Sequence, residues 1–455
     1  MAIGKRKSQR QEDLWVATSE LSRSPGHPFY EQVNRLLSEA HFDAFLEARC
    51  AEFYADKMGR PSLAPGVYVR MLLIGFFEGI DSERGIAWRC ADSLALRSFL
   101  GLTLRESPPD HSTVSRTRRL IDLEAHAEIF TFALKLLAER GLVSGKTIGV
   151  DATTLEANAA MKSIVRRKDG QSYHDFLVEL AKSSGIETPT RADLARIDRK
   201  RGGKGSNDDW QHPHDPDAEI TKMKDGSTHL AHKAEHAVDM DSGAVLAVTI
   251  QPGATGDTTS VYDTVIAAME NVVALAKDPD LAGKISSEAC NECVADKGYH
   301  SNDTIDALDS IGVRSYIAEP KRGRRQWRGE IATRDAVYAN RRRVKGERGK
   351  ALMRRRGEYL ERPFAHCLET GGMRRVHLRR CDNIAKRYLV HVAASNLALL
   401  MRTLFGKGTP RGLRAAGAAL GSALKTVQAI GRAALERLVM PDDRFHEAQL
   451  IQVAA

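Results

Sequence analysis

Three acidic residues sit where simple local structure would carry a carboxylate to a shared edge. Asp151 closes the apolar run Ile148-Gly149-Val150, and Asp296 closes Cys293-Val294-Ala295 and is followed by Lys297-Gly298-Tyr299. Glu361 lies in Glu358-Tyr359-Leu360-Glu361-Arg362-Pro363-Phe364, which reads as helix. Cutting or joining a phosphodiester with two metal ions requires acidic side chains converging from separate elements, because Mg²⁺ ions about 3.5–4 Å apart must be held beside the phosphorus. Taken singly, a strand-ending Asp caps a turn and a helical Glu among arginines makes a surface ion pair. Together, beside a strongly basic segment, the three point to phosphodiester chemistry.

That basic segment runs from Pro320 to Arg356, with fifteen Lys and Arg against Glu330, Asp335 and Glu347. Its excess exceeds the +9 of the whole 455-residue chain, so the attraction for a polyanion belongs to this one stretch. Arg324, Arg325, Arg341, Arg342, Arg343 and Arg356 are candidate phosphate contacts, joined by Lys297 and Arg362 beside the carboxylates. Trp327, among arginines, is a candidate for stacking on an unpaired base or for ordinary packing. A second candidate DNA surface follows Pro108-Pro109: the stretch from Asp110 to Ile121 starts with a cap and carries Ser112, Ser115, Arg116 and Arg119 on successive turns.

The elements that would position these groups change character along the chain. Residues 1–141 read as helical: Ser62 and Pro65 open one helix, Asp81-Ser82 another, and a long one runs from about Glu124 to a stop at Gly141, giving a helix-turn-helix-like or dimerisation domain. Residues 142–405 switch to a strand at Lys146–Asp151, a hairpin at Ala234–Met240 and Ala244–Gln251, a helix at Thr258–Ala276, a strand at Cys293–Asp296, a helix at Asn302–Ile311, a strand at Val313–Ala318 and a helix at Met353–Leu368 bent by Pro363. This order is that of an α/β, ribonuclease-H-like mixed sheet flanked by helices. About 158–229 forms a polar, partly ordered insertion after the first strand. Tyr388–Met401 reads as a core helix, and 406–455 as a helical or loosely attached tail.

In this order the residues resemble bacterial insertion-sequence transposases of the DDE type, in the broad insertion-sequence four, five and eleven-eighty-two group. The likeness rests on Gly59-Arg60-Pro61 with Pro109 to Arg116, on Val150-Asp151-Ala152-Thr153, on Asp215 to Ala218 leading to Ala234–Asp239, and on Ala295 to Tyr299 followed by Glu361 to His366. The resemblance implies that Asp151, Asp296 and Glu361 are the catalytic, metal-binding triad, taking two Mg²⁺ ions or Mn²⁺ in their place. It implies double-stranded DNA as partner, at element ends and target, and a homodimer in the synaptic complex. The Tyr, Arg and Lys that often accompany the family's Glu are not at the usual spacing: Tyr359 and Arg356 are near, and position 368 is Leu. The expected function is cut-and-paste transposition; a non-catalytic, domesticated DNA-binding remnant and a structure-selective nuclease are the alternatives.

Composition fits that reading. Hydrophobic residues are 42% and charged residues 28% of the chain, as in folded globular proteins, and six irregularly spaced cysteines form no disulfide framework. The first residues carry no apolar export core and no stretch of about 18 uncharged apolar residues occurs, so a cytoplasmic, nucleoid-associated protein without a membrane partner is expected. Other metal-like clusters read as structural: Cys290 and Cys293 lack a second pair at zinc spacing, and His212, His214, Asp215 and Asp217 read as a turn. Asp257 reads as a helix cap, with proximity to the carboxylates as a second possibility.

Overall fold

The computed structural model describes residues 27–55, 62–201, 205–223, 226–321, 323, 326–327 and 329–411. Gly59-Arg60-Pro61 and the tail from 412 onward lie outside the described residues.

Among the described residues, seven α-helices come first: α1 (Pro28–Glu39), α2 (Phe42–Cys50), α3 (Pro65–Glu78), α4 (Glu83–Asp92), α5 (Leu94–Phe99), α6 (His111–Leu120) and α7 (Leu123–Glu139). Their ends follow capping chemistry. Ser82, Asp110 and Asp122 accept backbone N–H bonds at the starts of α4, α6 and α7, and Gly79 closes α3 in the left-handed region. The expected start at Ser62 is displaced: Ala64 is the N-cap and Pro65 the first helical residue, since a proline ring presets the first turn and forfeits no hydrogen bond there.

β1 (Thr147–Glu156) begins the sheet; then come β2 (Val165–Arg166), α8 (Tyr173–Ser183), α9 (Arg191–Lys200), β3 (Trp210–Gln211) and β4 (Glu219–Lys222). The hairpin is β5 (Thr228–Asp239) with β6 (Val245–Pro252), followed by α10 (Asp257–Ala276), β7 (Glu292–Ala295), α11 (Asn302–Ser310) and β8 (Arg314–Ile317). α12 (Ile331–Lys345), α13 (Glu347–Ala365) and α14 (Cys381–Phe405) complete the described part. The sheet order is β4-β5-β1-β7-β8 with β6 also on β5; β1 is antiparallel to β5 and parallel to β7, which is parallel to β8. This is the expected ribonuclease-H-like mixed sheet.

The polar excursion is more ordered than its composition suggests. α8 and α9 pack Leu177, Ala181 and Leu194 together, a capping box at Thr190 starts α9, and β4 joins the edge of the main sheet. The basic segment contains all of α12 and the first half of α13, so most of its charges ride on helix surfaces.

α14 is the central strut. It is the one described helix long and apolar enough to cross a membrane, yet most of it is buried inside the protein, against α3, α7 and β6. Asn396 donates to and accepts from the Val245 backbone, satisfying part of edge strand β6, and the buried Arg387 donates to Leu72 O and Ile80 O. The apolar core runs without a break from the N-terminal helices into the sheet. Arg118, 5% exposed, bonds Glu83 at 2.8 Å and Asn383 at 2.6 Å, tying α6 to α4 and α14. Arg118→Ala leaves the half-buried Glu83 carboxylate and Asn383 without their partner and is expected to cost about 1–3 kcal/mol in urea unfolding. Arg119→Ala, one residue on and exposed, should stay within about 0.5 kcal/mol.

Candidate functional site

Asp151 reaches its place through strand alternation. Gly149 and Asp151 share the face of β1 covered by α13. A Cβ on Gly149 would stand 2.8 Å from Leu360 Cδ2, and Asp151 Oδ2 lies 3.6 Å from Arg356 Nη1. His236, the cross-strand partner of Asp151, stacks on Phe364 of the same helix at 4.1 Å. Glycine at 149 is what lets α13 lie this close. Gly149→Val is expected to cost about 1–3 kcal/mol by overpacking, read from thermal unfolding.

Asp296 comes to the same height by register. Gly149 and Val294 are partners on the parallel strands β1 and β7, and Asp151 and Asp296 each follow that rung by two residues. Asp296 then caps a single 3₁₀ turn, Lys297–Tyr299, its Oδ1 accepting from Gly298 N at 2.7 Å.

Glu361 is exposed on α13, which crosses the sheet diagonally: Leu352 packs on Val294 and Tyr316, Arg356 meets Asp151, Leu360 covers Gly149, and Phe364 covers His236. Arg355 bonds Met240 O, and Tyr359 lies beside Gly243 at the β5–β6 turn. Glu361, two residues past Tyr359 and so roughly 200° round the helix, leaves the flank opposite the one beside Gly243. Among the described residues no three His, Cys, Asp or Glu side chains close into a metal-holding group. Thus Asp151, in the middle of β1 and not at its end as expected, and Asp296, just past β7, stand at one height where the parallel β1–β7 pairing stops, and Glu361 is on the helix above without being drawn into a cluster with them.

Sequence reasoning left one part of this site unassigned. Beneath Asp296, Lys233 Nζ bonds Asp257 Oδ1 at 2.6 Å and Ser260 Oγ at 2.8 Å. The fully buried Glu235 accepts from Ser260 at 2.8 Å, Thr264 at 2.6 Å and the Tyr299 hydroxyl at 2.9 Å. Burial and the Glu235 carboxylate, with Asp257 and Asp151 adding, push the Tyr299 hydroxyl far above the usual phenol range, so it stays a donor. Asp257 is therefore no cap: Gly256 holds that position, and the Asp257 side chain turns to Lys233 and to the space over Gly298. The signal available in the sequence was a Lys and a Glu two apart in the strand, each flanked by Ala234, so that both fall on one face.

These donors suit a hard divalent cation. They are carboxylate oxygens, and a point over Gly298 is within 2.9 Å of Asp296 Oδ1 and 3.1 Å of Asp257 Oδ2, a cradle that a side chain there would fill. Mg²⁺ commonly binds one or two protein carboxylates together with water and substrate phosphate, so a preformed three-ligand cage is no requirement.

Two family models match the chain in the order its architecture suggests. Residues 19–120 match "Transposase domain (DUF772)", and residues 207–397 match "Transposase DDE domain", which spans the β5–β6 hairpin, Asp296 and Glu361. The chain belongs to the insertion-sequence DDE transposases. No curated protein and no solved structure matches it.

In this transposase the candidate DNA contacts divide sharply. On α6, Ser112, Arg116 and Arg119 are exposed at helical spacing, while the half-buried Ser115 accepts a bond from Arg118. Lys297 and Arg362 are exposed, the latter paired with Glu358. Arg324 and Arg325 lie outside the described residues. Trp327 is half-buried, donates to the Tyr338 hydroxyl at 3.3 Å and lines a cavity of about 1060 Å³ with Tyr338, Arg341 and Lys345.

The arginine triplet is not one surface. Arg341 pairs with Glu319 at 2.8 Å, and Arg343 bonds Ser315 O at 3.0 Å, whereas Arg342 is exposed. Helical spacing turns three consecutive residues in three directions, so a run of like charges cannot all face one partner. Arg342→Ala is expected to lower duplex affinity and reduce the log–log salt slope by roughly 0.9, whereas Arg343→Ala should lower the melting temperature with the slope kept. Fluorescence anisotropy across a salt series, beside thermal melts, separates the two.

The remaining metal-like groups are structural in the transposase fold. Asp215 is buried, 3.1 Å from His232 Nε2, and accepts from Arg380 N, while Asp217 accepts from Cys381 N; the two acids anchor the start of α14. Cys290 and Cys293 are buried free thiols, and among the described residues no third His, Cys, Asp or Glu joins them in a metal-holding group.

Proposed function

We propose that this transposase binds the terminal inverted repeats of its element and moves it by cut-and-paste, with Asp151, Asp296 and Glu361 as the catalytic carboxylates. The observation that carries the proposal is the register: two aspartates at the same height on adjacent parallel strands, with the glutamate's helix laid across both.

Two Mg²⁺ ions, or Mn²⁺, bound by these carboxylates would supply activation of the attacking oxygen and stabilisation of the leaving one. The chain's own groups do the rest. Asp296 Oδ1 accepts from Gly298 N in the turn it caps, which leaves carboxylate oxygen at the cradle to hold a cation beside the phosphate. Arg356, beside Asp151, offers positive charge next to the acids, where a scissile phosphate would lie. Water serves as the nucleophile when the element's end is released; the freed 3′ hydroxyl serves in its place at the target, and one arrangement of residues accommodates both.

Reading of the ends is assigned to α6, whose exposed Ser112, Arg116 and Arg119 lie opposite the buried Val114, Thr117 and Arg118. A helix packed on one face and polar on the other suits a DNA groove. Two copies of the chain would hold the two ends in one synaptic complex. Footprinting of Arg116→Ala and Arg119→Ala on end-containing and random duplexes tests this assignment: loss confined to the ends supports it, and equal loss on both contradicts it.

A further inference from the structure

Lys233, Glu235, Asp257 and Tyr299 form a closed circuit with Asp296. Asp296 caps the turn that ends at Tyr299; the buried Tyr299 hydroxyl donates to Glu235; Glu235 lies 3.4 Å from Lys233 Nζ; Lys233 bonds Asp257; and Asp257 faces Asp296 across Gly298. Every link but the last is a hydrogen bond, an ion pair or the turn itself.

We propose that Lys233, Glu235 and Tyr299 are positioning residues that set the Asp296 carboxylate for a divalent cation, with Asp257 as the opposing wall. The proposal rests on the reading of Asp296 as a metal-binding carboxylate. It follows from what each group lacks by itself. A carboxylate on a short exposed turn has freedom to swing, and a metal ligand that swings must be ordered when the ion arrives. Here the turn's last residue is pinned from below. Strand β5 supplies both pins: period-two alternation places Lys233 and Glu235 on the face covered by α10, and that helix brings Asp257, Ser260 and Thr264 to meet them. One buried cation between two carboxylates offsets a single negative charge, leaving net negative charge at the cradle for an incoming cation.

Gly298 is the sensitive point. A methyl there would stand 2.9 Å from Asp296 Oδ1 and 3.1 Å from Asp257 Oδ2, and both short side chains are anchored. Gly298 is exposed, so Gly298→Ala should leave the core undisturbed while spreading the two carboxylates. Tyr299→Phe cuts the circuit from below by removing one hydroxyl.

The test measures Mn²⁺ binding to the full-length protein without DNA, by the paramagnetic resonance signal of the free ion, beside melting temperature and duplex affinity in EDTA. Gly298→Ala and Tyr299→Phe should each weaken Mn²⁺ binding by roughly 10–100-fold, with duplex affinity kept. Asp296→Asn, measured in parallel, should lose binding at least as severely. Unchanged Mn²⁺ binding in Gly298→Ala, with Asp296→Asn impaired, overturns the positioning circuit alone. Unchanged binding in Asp296→Asn overturns the metal assignment on which it rests. A lower melting temperature in Tyr299→Phe with Mn²⁺ affinity intact marks a merely structural network and also overturns the proposal.

Discussion

Asp296→Asn is expected to slow strand cleavage at the element's ends by roughly a thousandfold or more, about 4 kcal/mol of transition-state stabilisation at about 1.4 kcal/mol per tenfold. Affinity for the same DNA in EDTA should change little. The asymmetry comes from where the residue sits. Asp296 lies beyond the end of β7 on a turn, not in the core, and its one fold-level bond is to Gly298 N, which an asparagine oxygen still accepts. The substitution removes charge at the cradle and leaves the exposed residues of α6 and α12 as they were. Cleavage assays and anisotropy on a single preparation measure both quantities; equal loss of the two would reassign Asp296 to folding.

Acid should destabilise the protein well before its carboxylates titrate. His126, His236 and His391 are fully buried, and burial lowers them to about 4, 3 and 3. Each is neutral in the folded state, whereas the unfolded chain binds a proton below about pH 6.5. The unfolded state then holds more protons, so stability falls as the pH drops from about 6.5 toward 4, by up to about 1.4 kcal/mol per pH unit for each histidine. Against a typical total of about 5–15 kcal/mol, three such groups are decisive. The loss should reach the site, because His236 stacks on Phe364 and holds α13 over β1. Urea unfolding at intervals from pH 7.5 to 4.5 checks this, and a flat profile below pH 6.5 would contradict it.

The sequence made the sheet legible because its strands are short apolar runs set off by turn residues, as at Asp241-Ser242-Gly243, where Gly243 is left-handed. α12 was hidden by its own charge: only Ala336, Val337 and Asn340 are buried, too few to stand out among arginines as a periodic face. β4 was hidden by polarity, since Glu219-Ile220-Thr221-Lys222 at a sheet edge looks like loop. Asp296 was legible as the end of an apolar strand, whereas Asp151, read as ending its strand, lies in the middle of β1, because the polar half Ala152–Glu156 continues the pairing with β5. Lys233 and Glu235 were not legible, because alternating charges in a strand ordinarily mark its solvent face, and that this face is covered by α10 is a tertiary fact. The triplet Arg341 to Arg343 misled for the same reason: charge can be counted along a chain, but whether Glu319 or Ser315 has already claimed a guanidinium depends on the fold.

The most direct measurement joins duplexes bearing the ends that flank this gene to a supercoiled target, with Mg²⁺ or with EDTA, for the wild-type chain and for Asp151→Asn, Asp296→Asn and Glu361→Gln. The account predicts nicking at the end followed by end-to-target joint molecules in Mg²⁺, neither in EDTA, and neither in any of the three variants. Joint molecules that persist in all three variants, or end cleavage that proceeds in EDTA, would contradict it.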